Sequence, residues 1–162
     1  MKKDVRALVN QLQTWLQEEV AAQRSMRALL TDQERAIRAT DTVALEETGR
    51  GIERELAAAS RRERRRSTLL TGLGQAWGVD PGALTLTSIG ERLGIASPET
   101  ERILRLRAEL REETALVVKL GRRIAALARY HGALLADLMH ALLGVGDDRP
   151  AEDDGMLINA RA

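Results

Sequence analysis

Both histidines of the chain lie in RYHGALLADLMHALLG, Arg129 to Gly144, a stretch otherwise dominated by leucine and alanine. Imidazoles invite metal ligation or acid–base chemistry. His131 and His140 are nine residues apart, and at about 100° per helical residue they point to opposite faces. They cannot share a metal, and there is no cysteine to complete a site. Each therefore reads as structural: His131 as a polar position on a packing seam, His140 within reach of Asp137 at i−3.

Other chemistry is no better supported. No serine occupies a nucleophile elbow, and the helical histidines belong to no obvious orienting triad. The glycine pairs in TGRGIE, TGLGQA and LLGVGD lack the lysine of a phosphate loop and follow no strand. Glu18–Glu19, Glu46–Glu47 and Glu112–Glu113 read as ordinary solvated helix surface. No catalytic, cofactor-binding or metal-ligating residue emerges, and the chain is not expected to be an enzyme.

Composition narrows the architecture. Of 162 residues, 44% are hydrophobic and 30% charged, but only 2% are aromatic and none is phenylalanine. Without large rings, aliphatic side chains must interdigitate along helical seams. Twenty-five Lys+Arg against 24 Asp+Glu leave a charge of +1, too little to steer the whole chain onto nucleic acid or membrane. Asp4, Arg6 and Asn10 break any apolar leader segment, and no run reaches the roughly 18 apolar residues that a spanning helix needs. A cytoplasmic chain without membrane insertion is expected.

Three helices must carry whatever the chain does. The first, from an Asp4 cap to about Arg38, has a seam of Val5, Leu8, Leu12, Trp15, Ala22, Met26 and Leu29, widened by Leu16, Leu30 and Ile37. Asp41 is a good cap for the second, about Thr42 to Leu73, which packs through Leu45, Ile52, Leu56, Leu69 and Leu70. Their short connection implies an antiparallel hairpin. A Gly/Pro connector follows, holding the short helix TLTSIGERLG. Ser97 then caps, and Pro98 opens, a third helix reaching Leu143. Its seam is Ile103, Leu106, Leu110, Glu113, Val117, Leu120, Ile124, Leu127, His131, Leu134, Leu138 and Ala141. At 1.5 Å per residue it would be roughly 70 Å long and outreach both partners.

The fold class expected is thus all-α: an elongated antiparallel hairpin packed with a very long third helix, a coiled-coil-like three-helix bundle. The organisation is a hairpin over 1–74, a linker with a short helix over 75–96, the long helix over 97–144, and a flexible acidic tail over 145–162.

Two features, one basic and one a motif, invite a nucleic-acid reading. RRERRR, residues 61–66, points its arginines in every direction round a helix. It reads better as a solvated collar whose stems cover a thin seam. SIGERLGIASPETERI imitates a helix-turn-helix, so a DNA-binding regulator is one alternative. Glu99 and Glu101 would meet phosphate there, Thr100 takes a normally apolar position, and the supposed recognition helix is far too long. A structural coiled-coil scaffold is the other alternative.

The stretch that opened the question has a further property. Leu134, Leu138 and Ala141 continue the seam, yet Leu135, Met139, Leu142 and Leu143 form a second apolar stripe beside it. One intramolecular neighbour needs only the first. The second suits docking of an amphipathic helix from another protein, and Met and Leu side chains repack readily around varied partners.

The N-terminal half, with Glu18-Glu19, Leu29-Leu30 followed by Glu34-Arg35, Asp41 before Leu45-Glu46-Glu47, and Arg54-Glu55-Leu56, resembles the FlgN-like family of flagellar export chaperones. The C-terminal half fits in outline: TLTSIGERL, a long helix ending HGALLADLMHALL, and a tail closing GMLINARA. The resemblance implies a cytoplasmic, all-helical chaperone without nucleotide or cofactor. It implies binding to the C-terminal amphipathic helices of the hook–filament junction (hook-associated) proteins and delivery to the flagellar type III export apparatus. Components of the export gate or export ATPase would be further partners, and homo-oligomerisation stays open. The family's binding region maps onto Leu134, Leu135, Leu138, Met139, Leu142 and Leu143.

Overall fold

A computed structural model describes residues 3–143, with the side chains of Lys3 and Leu143 outside the description. The elements are α1 (Lys3–Ala39), α2 (Thr42–Trp77), a 3-10 turn at Pro81–Ala83, α3 (Leu86–Leu93) and α4 (Pro98–Leu143). The fold is all-α, and the described residues include no strand. The acidic tail falls outside the described residues. The chain divides into two compact units, Met1–Ala128 and Arg129–Ala162.

In the first unit, local chemistry sets the helix ends. Thr40 takes the left-handed conformation (φ 55), which costs a non-glycine residue about 1–2 kcal/mol. The reversal holds because Thr40 N–H donates to the Ile37 carbonyl and Asp41 N–H to the Ala36 carbonyl. The Asp41 side chain then accepts from Ala44 N–H at 3.0 Å and starts α2. Helix α2 runs to Trp77, past the expected end at Leu73, because the left-handed stop is Gly78 (φ 66). Gly74 stays helical and serves a different purpose. A Cβ there would lie 2.8 Å from the Val79 carbonyl oxygen, so only glycine lets the connector fold back this tightly. Thr85 and Ser88 form a reciprocal capping box on α3. The Ser97 hydroxyl accepts from Thr100 N–H at 3.1 Å to start α4.

The contacts fix the order of the helices. As α1 advances, its α2 partners recede: Leu8 lies on Gly72, Trp15 Nε1 donates to the Arg62 carbonyl, Ser25 meets Glu55, and Leu29 lies on Gly51. The hairpin is antiparallel. The α4 partners advance with α1 instead, from Gln13 on the Glu99 carbonyl through Arg24 on Glu109 to Glu34 on Arg123. This unit is an up-down-up bundle.

Its core is concentrated where α1 begins and α2 ends. Val9, Leu12, Leu16, Leu73, Ile89 and Ile103 are buried there, with Trp15, Leu69, Leu84 and Leu106 around them. Helix α3 is held against α4 by the Thr100 hydroxyl, which donates to the Gly90 carbonyl at 3.0 Å. Thr100 is 2% exposed, so this polar residue sits inside because its hydroxyl has a partner. Farther along, buried positions turn polar, with Glu34, Thr48 and Glu113 taking places that aliphatics hold at the core end.

The α1 seam runs as expected, with Val9 and Val20 added to it. One α2 expectation is corrected: Leu56 is exposed, and the neighbouring Glu55 turns inward to meet Arg62. There Glu55 lies 3.6 Å from Arg62 and accepts from the Ser25 hydroxyl of α1.

Candidate functional site

The second unit contains the end of α4, where every described side chain from Arg129 to Leu142 is exposed. The α4 seam is buried or half-buried at each position from Ile103 to Leu127. At His131, Leu134, Leu138 and Ala141 the pattern continues in sequence but not in burial. These four positions therefore differ from the packed seam expected of them.

Besides Tyr130, the exposed large apolar side chains here are the aliphatic Leu134, Leu135 (63%), Leu138, Met139 and Leu142 (76%). These last five form the stripe. At about 100° per residue they fall within an arc of roughly 140°, over about 12 Å of axis. The opposite face carries Asp137 and His140, which make no ion pair among the described residues. His131 falls inside the apolar arc, one turn before Leu134 and Leu135, with its ring edge-on to Tyr130 at 6.0 Å. This is a one-sided greasy surface with a polar back. Leu143 closes the helix, but its side chain is outside the described residues.

In the first unit, carboxylates and arginines organise the polar end. Arg24 and Arg27 converge on Glu113 at 3.2 and 3.1 Å. Arg38 and Arg123 converge on Glu34. The hydrogen bond from Arg38 holds the Glu34 carboxyl below the usual carboxylate range; burial opposes it, and Arg123 reinforces it. Arg62 meets Glu19 at 2.8 Å and Glu55 at 3.6 Å. Glu19, expected as ordinary surface, thus belongs to the bundle's interior contacts, and Glu113 is buried at the seam position expected of it. The i,i+4 spacing of Glu34 and Arg38 was legible, but Arg123 lies 89 residues away and left no local signal.

The RRERRR collar is used in the same way. Besides Arg62, Arg65 meets Glu18 at 2.6 Å and Arg66 meets Glu63 at 2.7 Å. The bidentate bond from Arg66 lowers the Glu63 pKa, again against burial. Most of the collar's charge is spent inside the molecule.

A small cavity of about 270 Å³ lies among leucines 12, 70, 84, 86 and 110 and Trp15, with Arg66 and Thr85 completing its wall. It is below the ordinary range of small-molecule sites, roughly 300–1,000 Å³, and brings no reactive group together. No cluster of three His, Asp or Glu that could hold a metal occurs among the described residues. No described helix is long and apolar enough to cross a membrane.

A family model described as "FlgN protein" matches residues 1–144. No curated protein and no solved structure matches the chain.

Proposed function

Because this chain belongs to the FlgN family of flagellar export chaperones, we propose that it captures the C-terminal amphipathic helices of hook–filament junction (hook-associated) proteins. In this reading it works in the cytoplasm and hands its clients to the flagellar type III export apparatus, through components of the gate or the export ATPase.

The observation that carries the proposal is the exposed arc of Leu134, Leu135, Leu138, Met139 and Leu142, which the family match covers in full. Leu143 is assigned to the same surface from the sequence. A client helix lays apolar side chains at i, i+3, i+4 and i+7 against this arc. Burying a large aliphatic side chain contributes about 1.5–3 kcal/mol. Association and ordering of the client take back roughly 4–15 kcal/mol, so only part of this burial appears as affinity, expected at about micromolar to nanomolar. Such binding is firm enough to hold a client and weak enough to release it.

The test is capture by the full chain with Leu135→Glu and Met139→Glu together. Both residues are exposed, so helicity and melting temperature stay at wild-type values. Pull-down of a junction protein should be lost. Wild-type capture by this variant would end the assignment of this surface, and loss of helicity would return the stripe to a structural role.

A further inference from the structure

The family match stops at residue 144, while the chain continues to Ala162 through VGDDRPAEDDGMLINARA. We propose that Met156, Leu157 and Ile158 of this segment are the resident occupant of the exposed α4 stripe, so that a client must displace the chaperone's own tail. The proposal rests on the stripe being the client surface and adds its regulation.

Three observations support it. First, Leu135, Leu138, Met139 and Leu142 form an exposed apolar surface on the last turns of α4, immediately before the tail in sequence, and such a surface is costly to leave in water. Second, beyond Val145 the tail's only large aliphatic residues are the contiguous Met156, Leu157 and Ile158. The segment before them, GDDRPAEDDG, carries five acidic residues and one arginine, and such a segment favours water over an apolar surface. The apolar triplet is therefore what the tail has to bury. Third, the geometry allows it. The stripe from Leu142 back to Leu135 is roughly 10 Å long at helical rise. The fourteen residues from Leu142 to Met156 reach up to roughly 50 Å when extended. A tethered segment within such reach acts at an effective concentration of about millimolar, so even a three-residue contact competes.

The chain has no cysteine, so Asn159→Cys gives a unique spin-label site. In the free full chain, the label should broaden the NMR signals of Leu135, Met139 and Leu142, independently of protein concentration. Adding Met156→Ser, Leu157→Ser and Ile158→Ser should restore those signals. It should also tighten capture of a junction-protein C-terminal peptide by about 2- to 10-fold, because apparent Kd scales inversely with the uncovered fraction. Absent broadening, or broadening that survives the three serines, overturns the proposal. So does broadening seen only when spin-labelled and isotope-labelled chains are mixed, which would make a second copy the occupant. The two readings fail separately: if Leu135→Glu with Met139→Glu leaves client capture intact, the client surface is wrong, whereas the label still reports whether the tail is docked.

Discussion

Helix α4 carries the same leucine spacing near its start and near its finish, with opposite results. Ile103 and Leu106 are 0% and 7% exposed among the side chains of α1, α2 and α3. Leu135 and Leu142 stand open to solvent. Periodicity of three and four states which face of a helix is apolar, but not what covers that face. At the start, Thr100 and Ile103 meet an assembled core. From Ala128 onward every described position is exposed, and the apolar arc becomes a surface available to another molecule.

The strongest test of this contrast is truncation at each end. Ile103→Ala should cost about 2–5 kcal/mol, the range for emptying a core aliphatic site, read from the shift in urea midpoint. Leu135→Ala should stay within about 0.5 kcal/mol, as expected for an exposed position. A large loss at Leu135 would mean that the stripe is structural after all.

Gly74→Ala is the next largest. Its Cβ would press on the Val79 carbonyl and the Pro81 ring, and a backbone contact cannot step aside. A loss of about 1–3 kcal/mol is expected from such overpacking, visible as a lower melting temperature.

The polar end of the first unit separates charge from packing. Glu113→Gln weakens two ion pairs whose arginines are 54% and 40% exposed, so solvent screening limits the loss to about 1 kcal/mol. Glu113→Leu fills the same seam position with an aliphatic side chain and should recover that loss. A leucine variant less stable than the glutamine variant would show that the carboxylate matters beyond seam filling.

Acid titration probes the same carboxylates. Glu34 and Glu63 have lowered pKa values in the fold, so in acid the unfolded chain binds their protons first. Their stabilisation is complete above the unfolded carboxylate value of about 4.3 and is lost as pH falls through the lower folded value. Urea midpoints should fall between neutral pH and the acid range, and Glu34→Gln, which does not titrate, should make that fall shallower.

The smallest effect returns to the end of α4. A Cβ at Gly132 meets nothing within 4 Å, so Gly132→Ala should raise local helix stability by about 0.5–1 kcal/mol. Hydrogen exchange around residue 132 would report it, and slower exchange is the expected outcome.

Much of the fold was legible in the chain because its signals are local. Asp41, Pro98 and the aliphatic spacing of α1 and α4 act within a turn or two of themselves, and helices form where they indicate. Gly78 rather than Gly74, the glycine after the expected end at Leu73, ended α2 because a glycine stops a helix only where the backbone turns left-handed, and that depends on how the connector folds back. Leu56 faces outward while its neighbour Glu55 turns toward Ser25 of α1 and toward Arg62, contacts that the apolar spacing of α2 does not encode. The candidate surface was half legible: Leu135, Met139 and Leu142 stood out as apolar surface to spare, but the exposure of the seam positions Leu134, Leu138 and Ala141 beside them did not.

What the amino-acid order decides alone is therefore the helices, their apolar faces and the family, since each depends on contacts within a few residues or on motif spacing. Which face is buried, which carboxylate meets Arg24, Arg27 or Arg123, and where the α4 seam stops being covered depend on partners more than eighty residues distant. Those were decided only when the three helices packed, because burial and desolvation are properties of neighbours in space.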